Sequence, residues 1–302
     1  MKRNFFHAAI NGTTLCASLA LLSCEKLEEP DTDTGLHLDI DYGDSIKTNA
    51  VITFSCNGDF TLTQKAMTRA LSADGKDLTD VWVLDYMGEE LKQTIHQAST
   101  DTGFGTPTLS LEYGAHSFYF VASRGSEPVV DTDAKTITWG SVRDTFHGSM
   151  SLDVQPNSGS SQSVSLSRCV GRLRVSATDV IPDGAAKLVV SPSSWYYGLN
   201  YQSGEGVADY PTPLAVNIPN NYIGTTNLVA SFYTISSASP WQTDMTVALV
   251  ATDESTIGSI TISDVPLQRN HVTSYAGGIV GAGRTLNLGS NDEWVEDDTV
   301  SW

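Results

Sequence analysis

The residues with the most specific chemistry stand at positions 21–24. Leu21-Leu22-Ser23-Cys24 sets an aliphatic residue three before a cysteine and a small residue just before it, at the end of a mostly apolar stretch that follows Lys2 and Arg3. This is the pattern of a lipobox, in which the Cys24 thiol takes a diacylglyceryl group and residues 1–23 are removed as a lipoprotein signal peptide. The alternative is an ordinary secretory signal with an incidental cysteine. The stretch, which includes His7 and Asn11, is too short for a stable transmembrane span. Multiple acyl chains on Cys24 hold a protein durably in a bilayer, because each buried methylene contributes roughly 0.8 kcal/mol.

Of the other cysteines, Cys16 leaves with the signal, so Cys56 and Cys169 remain. Both lie in strand-like runs. In an oxidising compartment they either form a disulfide, which for so long a loop contributes roughly 4–5 kcal/mol, or stay as small buried hydrophobes. No C-x-x-C or Cys/His ligand spacing points to zinc. His7, His37, His96, His116, His147 and His271 are scattered, outside any H-E-x-x-H pattern, and there is no G-x-S-x-G elbow. The expectation is no catalytic residue, no metal and no cofactor.

Three further groups imitate binding sites. Asp31, Asp33, Asp39, Asp41 and Asp44 begin like a calcium loop, but Gly35 comes one position early and Tyr42 stands where a bidentate glutamate is needed. They read as a solvated acidic segment, as do Asp292, Glu293, Glu296, Asp297 and Asp298 near the end. The glycines of Gly277-Gly278-Ile279-Val280-Gly281-Ala282-Gly283 lack the Lys-Ser/Thr of a phosphate loop and read as a strand bend and turn. Trp195-Tyr196-Tyr197 with Tyr201 or Tyr210 would make a stacking platform for a host glycan. Aromatics that bury large surfaces in sandwiches are more often core.

Charge narrows the partners. The chain carries 17 Lys+Arg against 35 Asp+Glu, a formal −18, and removing Lys2 and Arg3 with the signal takes it to −20. Too few cations are present to build the basic stripe that nucleic acid requires.

The elements that must position these residues are strands. Period-2 or short apolar runs recur at 35–42, 51–54, 80–86, 91–95, 109–113, 116–122, 136–139 and 150–154, each bounded by turn formers. Helical periodicity is weak, with at most a turn or two at Val142 to Phe146. Residues 155–163 lose all apolar character and read as a linker. Strand runs resume at 164–177, 187–190, 195–199, 214–218, 228–235, 245–251, 259–262 and 272–280, and 284–294 ends the series. The expected layout is an acidic tether at 24–34, an N-terminal β-sandwich over 35–155 and a C-terminal β-sandwich over 164–302, both antiparallel.

The lipobox, Ala66-Met67-Thr68-Arg69-Ala70-Leu71, the run Leu78 to Tyr86, Arg168-Cys169-Val170-Gly171-Arg172-Leu173-Arg174-Val175 and Pro266-Leu267-Gln268-Arg269-Asn270-His271-Val272, taken in this order, resemble the fimbrillin superfamily of Bacteroidales, and within it the minor-subunit group that includes the fimbrial anchors. The resemblance implies two tandem transthyretin-like β-sandwich domains and assembly of type V pili by strand exchange with other fimbrial subunits. It also implies a lipid-anchored place on the outer membrane surface. A tip adhesin that binds a host glycan or protein is the alternative. In stalk subunits of the superfamily a trypsin-like protease cuts after an arginine in the first domain. Arg69, followed by Ala70, stands where that site would be, and cutting there would sever Cys24 from the rest; an anchor must keep it intact.

An open sheet edge accepts an extended segment from another chain. The segment from Thr285 to Trp302 is the expected donor, offering Leu286, Leu288, Trp294, Val295, Val300 and Trp302, unless it folds back into its own sheet. The lipobox yields the first prediction. Cys24→Ala releases the protein from the membrane fraction in a detergent-partition assay, and retention in the detergent phase refutes the lipid anchor.

Overall fold

The run Asp80–Met87, DVWVLDYM, shows why this chain forms layers. Six of its eight residues are buried, so both faces of one strand are covered. Val81 and Val83 enter one core, while Trp82, Leu84 and Tyr86 enter another on the opposite side. Burial of each such side chain contributes about 1.5–3 kcal/mol.

The computed structural model describes the strand backbone at 37–39, 47–51 and 54–57, and residues 78–293 apart from 106, 155–163, 210–212, 227, 238 and 282. The expected signal peptide, tether and linker lie outside the described residues, as do Cys24, Arg69, Ala70, Trp294, Val295, Val300 and Trp302.

The described chain is all-β, with one short 3-10 turn at Asn220–Tyr222. The strands are β1 (His37–Asp39), β2 (Lys47–Val51), β3 (Phe54–Asn57), β4 (Asp80–Met87), β5 (Glu90–Ala98), β6 (Thr108–Glu112) and β7 (Gly114–Ser123). There follow β8 (Val129–Asp131), β9 (Thr136–Thr138), β10 (Thr145–Val154), β11 (Val164–Arg168), β12 (Val170–Ala177), β13 (Ala185–Pro192) and β14 (Tyr196–Asn200). The last are β15 (Gly206–Asp209), β16 (Leu214–Asn217), β17 (Leu228–Ile235), β18 (Trp241–Ala251), β19 (Thr256–Leu267), β20 (His271–Gly278) and β21 (Thr285–Glu293). Expected helical character at Val142 to Phe146 gives way to extended chain, because Thr145 already pairs with Ser123 as β10 begins.

These strands form five sheets: β1-β2-β6, β3-β11-β10-β7-β4-β5, β17-β12-β20-β21, β16-β13-β18-β19 and β15-β14-β9-β8. Pairing is antiparallel except for β3 with β11 and β12 with β20. The first core lies between β6, which supplies Leu109 and Leu111, and one face of the six-stranded sheet. A second fills the space between the β12 and β18 sheets, with Leu173, Val175 and Phe232 against Leu188, Val247 and Leu249. The third joins the halves of the chain. It packs the other face of the six-stranded sheet against Ile137, Trp139, Leu199 and Tyr201 of the sheet that mixes β8 and β9 with β14 and β15.

The run 164–177 does not form a single long strand. Val164–Arg168 pairs with β10 in the six-stranded sheet, Val170–Ala177 pairs with β17 and β20 in another, and Cys169 alone connects them. Strands from both sides of 155–163 therefore share two of the five sheets.

One ion pair is buried in the first core. His116 Nδ1–H donates to Asp85 Oδ1 at 2.7 Å and Nε2–H donates to the Glu112 carbonyl at 2.9 Å, with 2% of His116 and none of Asp85 exposed. Burial acts hardest on the imidazole and pulls its pKa down. The bonds to Asp85 and Glu112 and the charges of both acids together outweigh it, so the net shift is upward. With both ring nitrogens donating to oxygens that only accept, the group is an imidazolium.

A pKa raised in the folded state means stability fully present below the unfolded value near 6.5 and lost as pH rises through the folded one. Urea midpoints of the wild type should accordingly fall on the alkaline side of that value, while Asp85→Asn/His116→Gln stays level there. His116→Leu alone, which strands a buried carboxylate, is expected to cost about 3–5 kcal/mol at neutral pH. A level wild-type profile, or a loss under about 1 kcal/mol in His116→Leu, contradicts the assignment.

Candidate functional site

The two late motifs meet at the crossing between sheets. Arg168, the last residue of β11, grips Asp144 with two bonds, Nε to Oδ1 at 2.8 Å and Nη2 to Oδ2 at 3.2 Å, and donates through Nη1 to Asn270 Oδ1 at 2.7 Å. Its guanidinium lies 5.1 Å from the Phe146 ring centroid. Only 5% of Arg168 and none of Asp144 is exposed. Around this knot the backbone closes: Cys169 N–H donates to Thr145 O at 2.9 Å, Ser236 N–H to Cys169 O at 2.8 Å and Asn270 N–H to Val170 O at 2.9 Å. Gly171 is required here, since a Cβ would stand 2.7 Å from the Gln268 carbonyl oxygen. Arg269 reaches the other way, donating through Nη2 to Gly204 O at 2.6 Å and Ser236 O at 2.9 Å.

Cys169 sits inside the joint as a free, fully buried thiol that donates to Thr145 O at 3.3 Å. Burial pushes its pKa up to about 12. Cys56 lies on β3, in register with Leu166 of β11, and its side chain is outside the described residues.

The second feature is the final strand. β21 pairs antiparallel with β20 on one side and forms the edge of its sheet. Of the expected donor residues, Leu286 is buried in the second core and Leu288 is 50% exposed. The described part of the segment therefore folds back into its own sheet. Leu286 is the one buried residue of the strand, so its backbone ladder with β20 supplies most of its hold. Gly289 has no partner where the register shifts between Ser274 and Tyr275, which makes it a bulge. The glycine run shapes the entry to this strand. A Cβ on Gly277 would collide with the Thr285 carbonyl oxygen, and the Asp179 carboxylate accepts the N–H groups of Ile279 and Val280. Bend and turn are what these glycines make.

The aromatic platform is dispersed. Trp195 is buried in the second core with Nε1 donating to Tyr233 O at 3.0 Å, while Tyr201 is buried and shares a 2.7 Å hydrogen bond with the Tyr86 hydroxyl. Tyr196 and Tyr197 are half-buried, and Tyr210 lies outside the described residues. The histidines also separate. His96 pairs with Asp80 at 2.7 Å on the exposed edge strand β5, His147 bonds Tyr201 O at 2.8 Å, and His271 bonds Arg269 O at 3.0 Å. Among the described residues no cluster of His, Cys, Asp and Glu could hold a metal. Glu293 instead accepts a 3.3 Å bond from Asn270 Nδ2.

Asp144, Asp179 and the Asp85–His116 pair were not visible as partners in the sequence. Asp144 is 24 residues from Arg168, and Asp179 is 100 from Ile279. The available signal was weak: an acid or histidine standing among apolar strand residues.

No curated protein matches the sequence. The structure is similar to a candidate adhesin from Bacteroides ovatus, at 12% identity and a TM-score of 0.47 over 70% of this chain and 82% of that one. It is also similar to the fimbrial anchor protein Mfa2 from Porphyromonas gingivalis, at 9% identity and a TM-score of 0.45 over 72% and 90%. A fimbrial assembly protein from Parabacteroides distasonis gives 13% identity and a TM-score of 0.41 over 70% and 91%. The family model of DUF6562, a family of unknown function, matches residues 127–301, more than half of the sequence, and the chain belongs to that family.

Proposed function

We propose that the protein is a non-catalytic surface lipoprotein that serves as a fimbrial subunit of the type V pilus kind, as an anchor or other minor component. The reading takes Cys24 as the acylated N-terminus on the outer membrane and the five sheets as two tandem transthyretin-like β-sandwich domains. Other fimbrial subunits join it by strand exchange. Fimbrial anchor and fimbrial assembly protein are the names carried by similar structures, and they come to this chain only as part of this proposal.

The observation that carries the proposal is β21. A strand paired, among the described residues, on one side only, with one buried side chain, and followed in sequence by Trp294, Val295, Val300 and Trp302, offers a backbone edge and apolar side chains for a groove. Cutting after Arg69 would remove β1, β2 and β3, leaving β6 without β2 and β11 without β3. An anchor keeps Arg69 intact, since those strands and Cys24 lie on the same side of it.

A second reading, a tip adhesin or glycan-binding module, is favoured by one observation: Trp139, Trp195, Tyr197 and Tyr233 wall a cleft of about 650 Å3.

Ending the chain after Glu293 keeps all of β21, so this variant is expected to stay folded, with a Tm within a few degrees of wild type, and to disappear from isolated fibres. Incorporation at the wild-type level contradicts assembly through the tail. Mass spectrometry of the fibre-bound wild type should find a lipidated Cys24 as N-terminus, whereas a terminus at Ala70 makes the protein a stalk or tip subunit.

A further inference from the structure

The last two described strands form a hairpin whose open end lies at the joint. β20 and β21 pair from His271 with Glu293 to Gly278 with Thr285. Glu293, where the chain goes on to Trp294, therefore stands beside the start of β20, and the turn between the strands lies at the far end. β12 starts at the same end as β20, since the two run parallel with Arg172 opposite Val272 and Ala177 opposite Gly277. The start of β20 is fixed there. Asn270 N–H donates to Val170 O at 2.9 Å, and Asn270 Oδ1 accepts from Arg168 Nη1 at 2.7 Å. The second sandwich is thus entered through Cys169 and left through Glu293 at one end, next to the Arg168 knot.

This placement decides how tension acts. A pull on the chain beyond Glu293, resisted through Cys169, opens the hairpin from its mouth, and the rungs of the β20–β21 ladder carry the load one after another. Few side chains add to that ladder. Leu286 is buried, Thr273 Oγ1 donates to Asn291 Oδ1 at 3.1 Å, Asn270 Nδ2 donates to Glu293 Oε1 at 3.3 Å, and Arg284 Nη1 donates to Ser259 O at 3.1 Å. Opening halts at the far end, where Ile279 is fully buried in the second core and the Asp179 carboxylate accepts the N–H groups of Ile279 and Val280. There the geometry changes. The pull now acts on the far end of β20 while Cys169 holds the near end of β12, so two parallel strands are drawn past each other lengthwise. All six of their register pairs are loaded at once, together with the bonds of Asn270 to Val170 and Arg168. Rungs loaded in turn yield at lower force than rungs loaded together.

We propose that the β20–β21 hairpin is a two-stage tension strap. β21 peels away under a pull along the fibre and lengthens the subunit; the parallel pair β12–β20 and the Arg168 knot then stop the extension. Peeling takes only Leu286 out of the second core. It frees residues 281–293, which with the length of β20 itself gives about 60 Å at full extension. The inference rests on the reading in which a neighbouring subunit holds the tail.

The test stretches the full chain, one molecule at a time, between tags at its two ends in optical tweezers. A reversible lengthening of about 60 Å is expected, at lower force than the event that opens the rest of the second sandwich. Ser274 and Ser290 are register partners near the mouth of the hairpin. The oxidised Ser274→Cys/Ser290→Cys protein should show that step cut to about 10 Å, and reductant should restore it, which also shows that the variant folds. Leu286→Ala should lower the force of the step and leave its length unchanged. A step of full length in the oxidised pair, or opening of the whole second sandwich in one event with no earlier lengthening, overturns the strap. Neither result touches assembly through the tail, which is read from fibre incorporation of the chain ended after Glu293.

Discussion

A buried guanidinium is costly unless every side of it is answered, and Arg168 is answered from three directions. Asp144 neutralises it with two bonds, Asn270 takes an Nη1 donor and the Phe146 ring lies alongside. Because removing one partner of such a pair costs several kcal/mol, all three segments must be in place together. The segments belong to different parts of the fold: the approach to β10, the end of β11 and the turn between β19 and β20. With a single residue, Cys169, between two sheets, this knot determines where the second sandwich begins relative to the first. The third core then has a defined surface to fill, with Tyr86 and Tyr201 meeting at their hydroxyls across it.

Much of the secondary structure was legible because strand alternation is local. Leu228–Ile235 and the first part of Gly114–Ser123 show it directly, Asp80–Met87 is a mostly apolar run buried on both faces, and each corresponds to an expected run. The split of 164–177 was not legible. The apolar phase moves from Val164 and Leu166 to Leu173, Val175 and Ala177 across residues 168–172, but what divides the two strands is a bond to Asp144 and a carbonyl from Gln268, neither of which is a neighbour in sequence. Short strands such as Val129–Asp131 and Gly206–Asp209 escaped because three or four residues carry too little alternation to read; each pairs with a near neighbour, and the two hairpins join across the halves of the chain through β9 and β14.

Of the candidate sites, the glycine run was readable, because bend and turn chemistry is intrinsic to glycine. The aromatic platform was not, since consecutive residues on a strand face opposite ways: Trp195 and Tyr197 border the cleft with Tyr233 and Trp139, whereas Tyr196 packs against Trp241. A stiff joint and an edge strand with a single buried side chain suit the proposed role. Load passed along a fibre would run through the Arg168 knot, while partner exchange needs an edge that few buried contacts retain. Edges that are not for pairing are blunted. β5 exposes Glu90 and His96, and β19 carries Pro266, which has no N–H to offer a neighbour.

The coupling carried by Arg168 is tested most directly by a double-mutant cycle on Asp144→Asn and Asn270→Ala, with unfolding free energies measured by urea titration. The two positions lie on opposite sides of the crossing and are joined through Arg168. Membership of one network is expected to make the two losses non-additive by about 0.5–3 kcal/mol. Additivity to within about 0.3–0.5 kcal/mol would show that the two sandwiches are set without the knot.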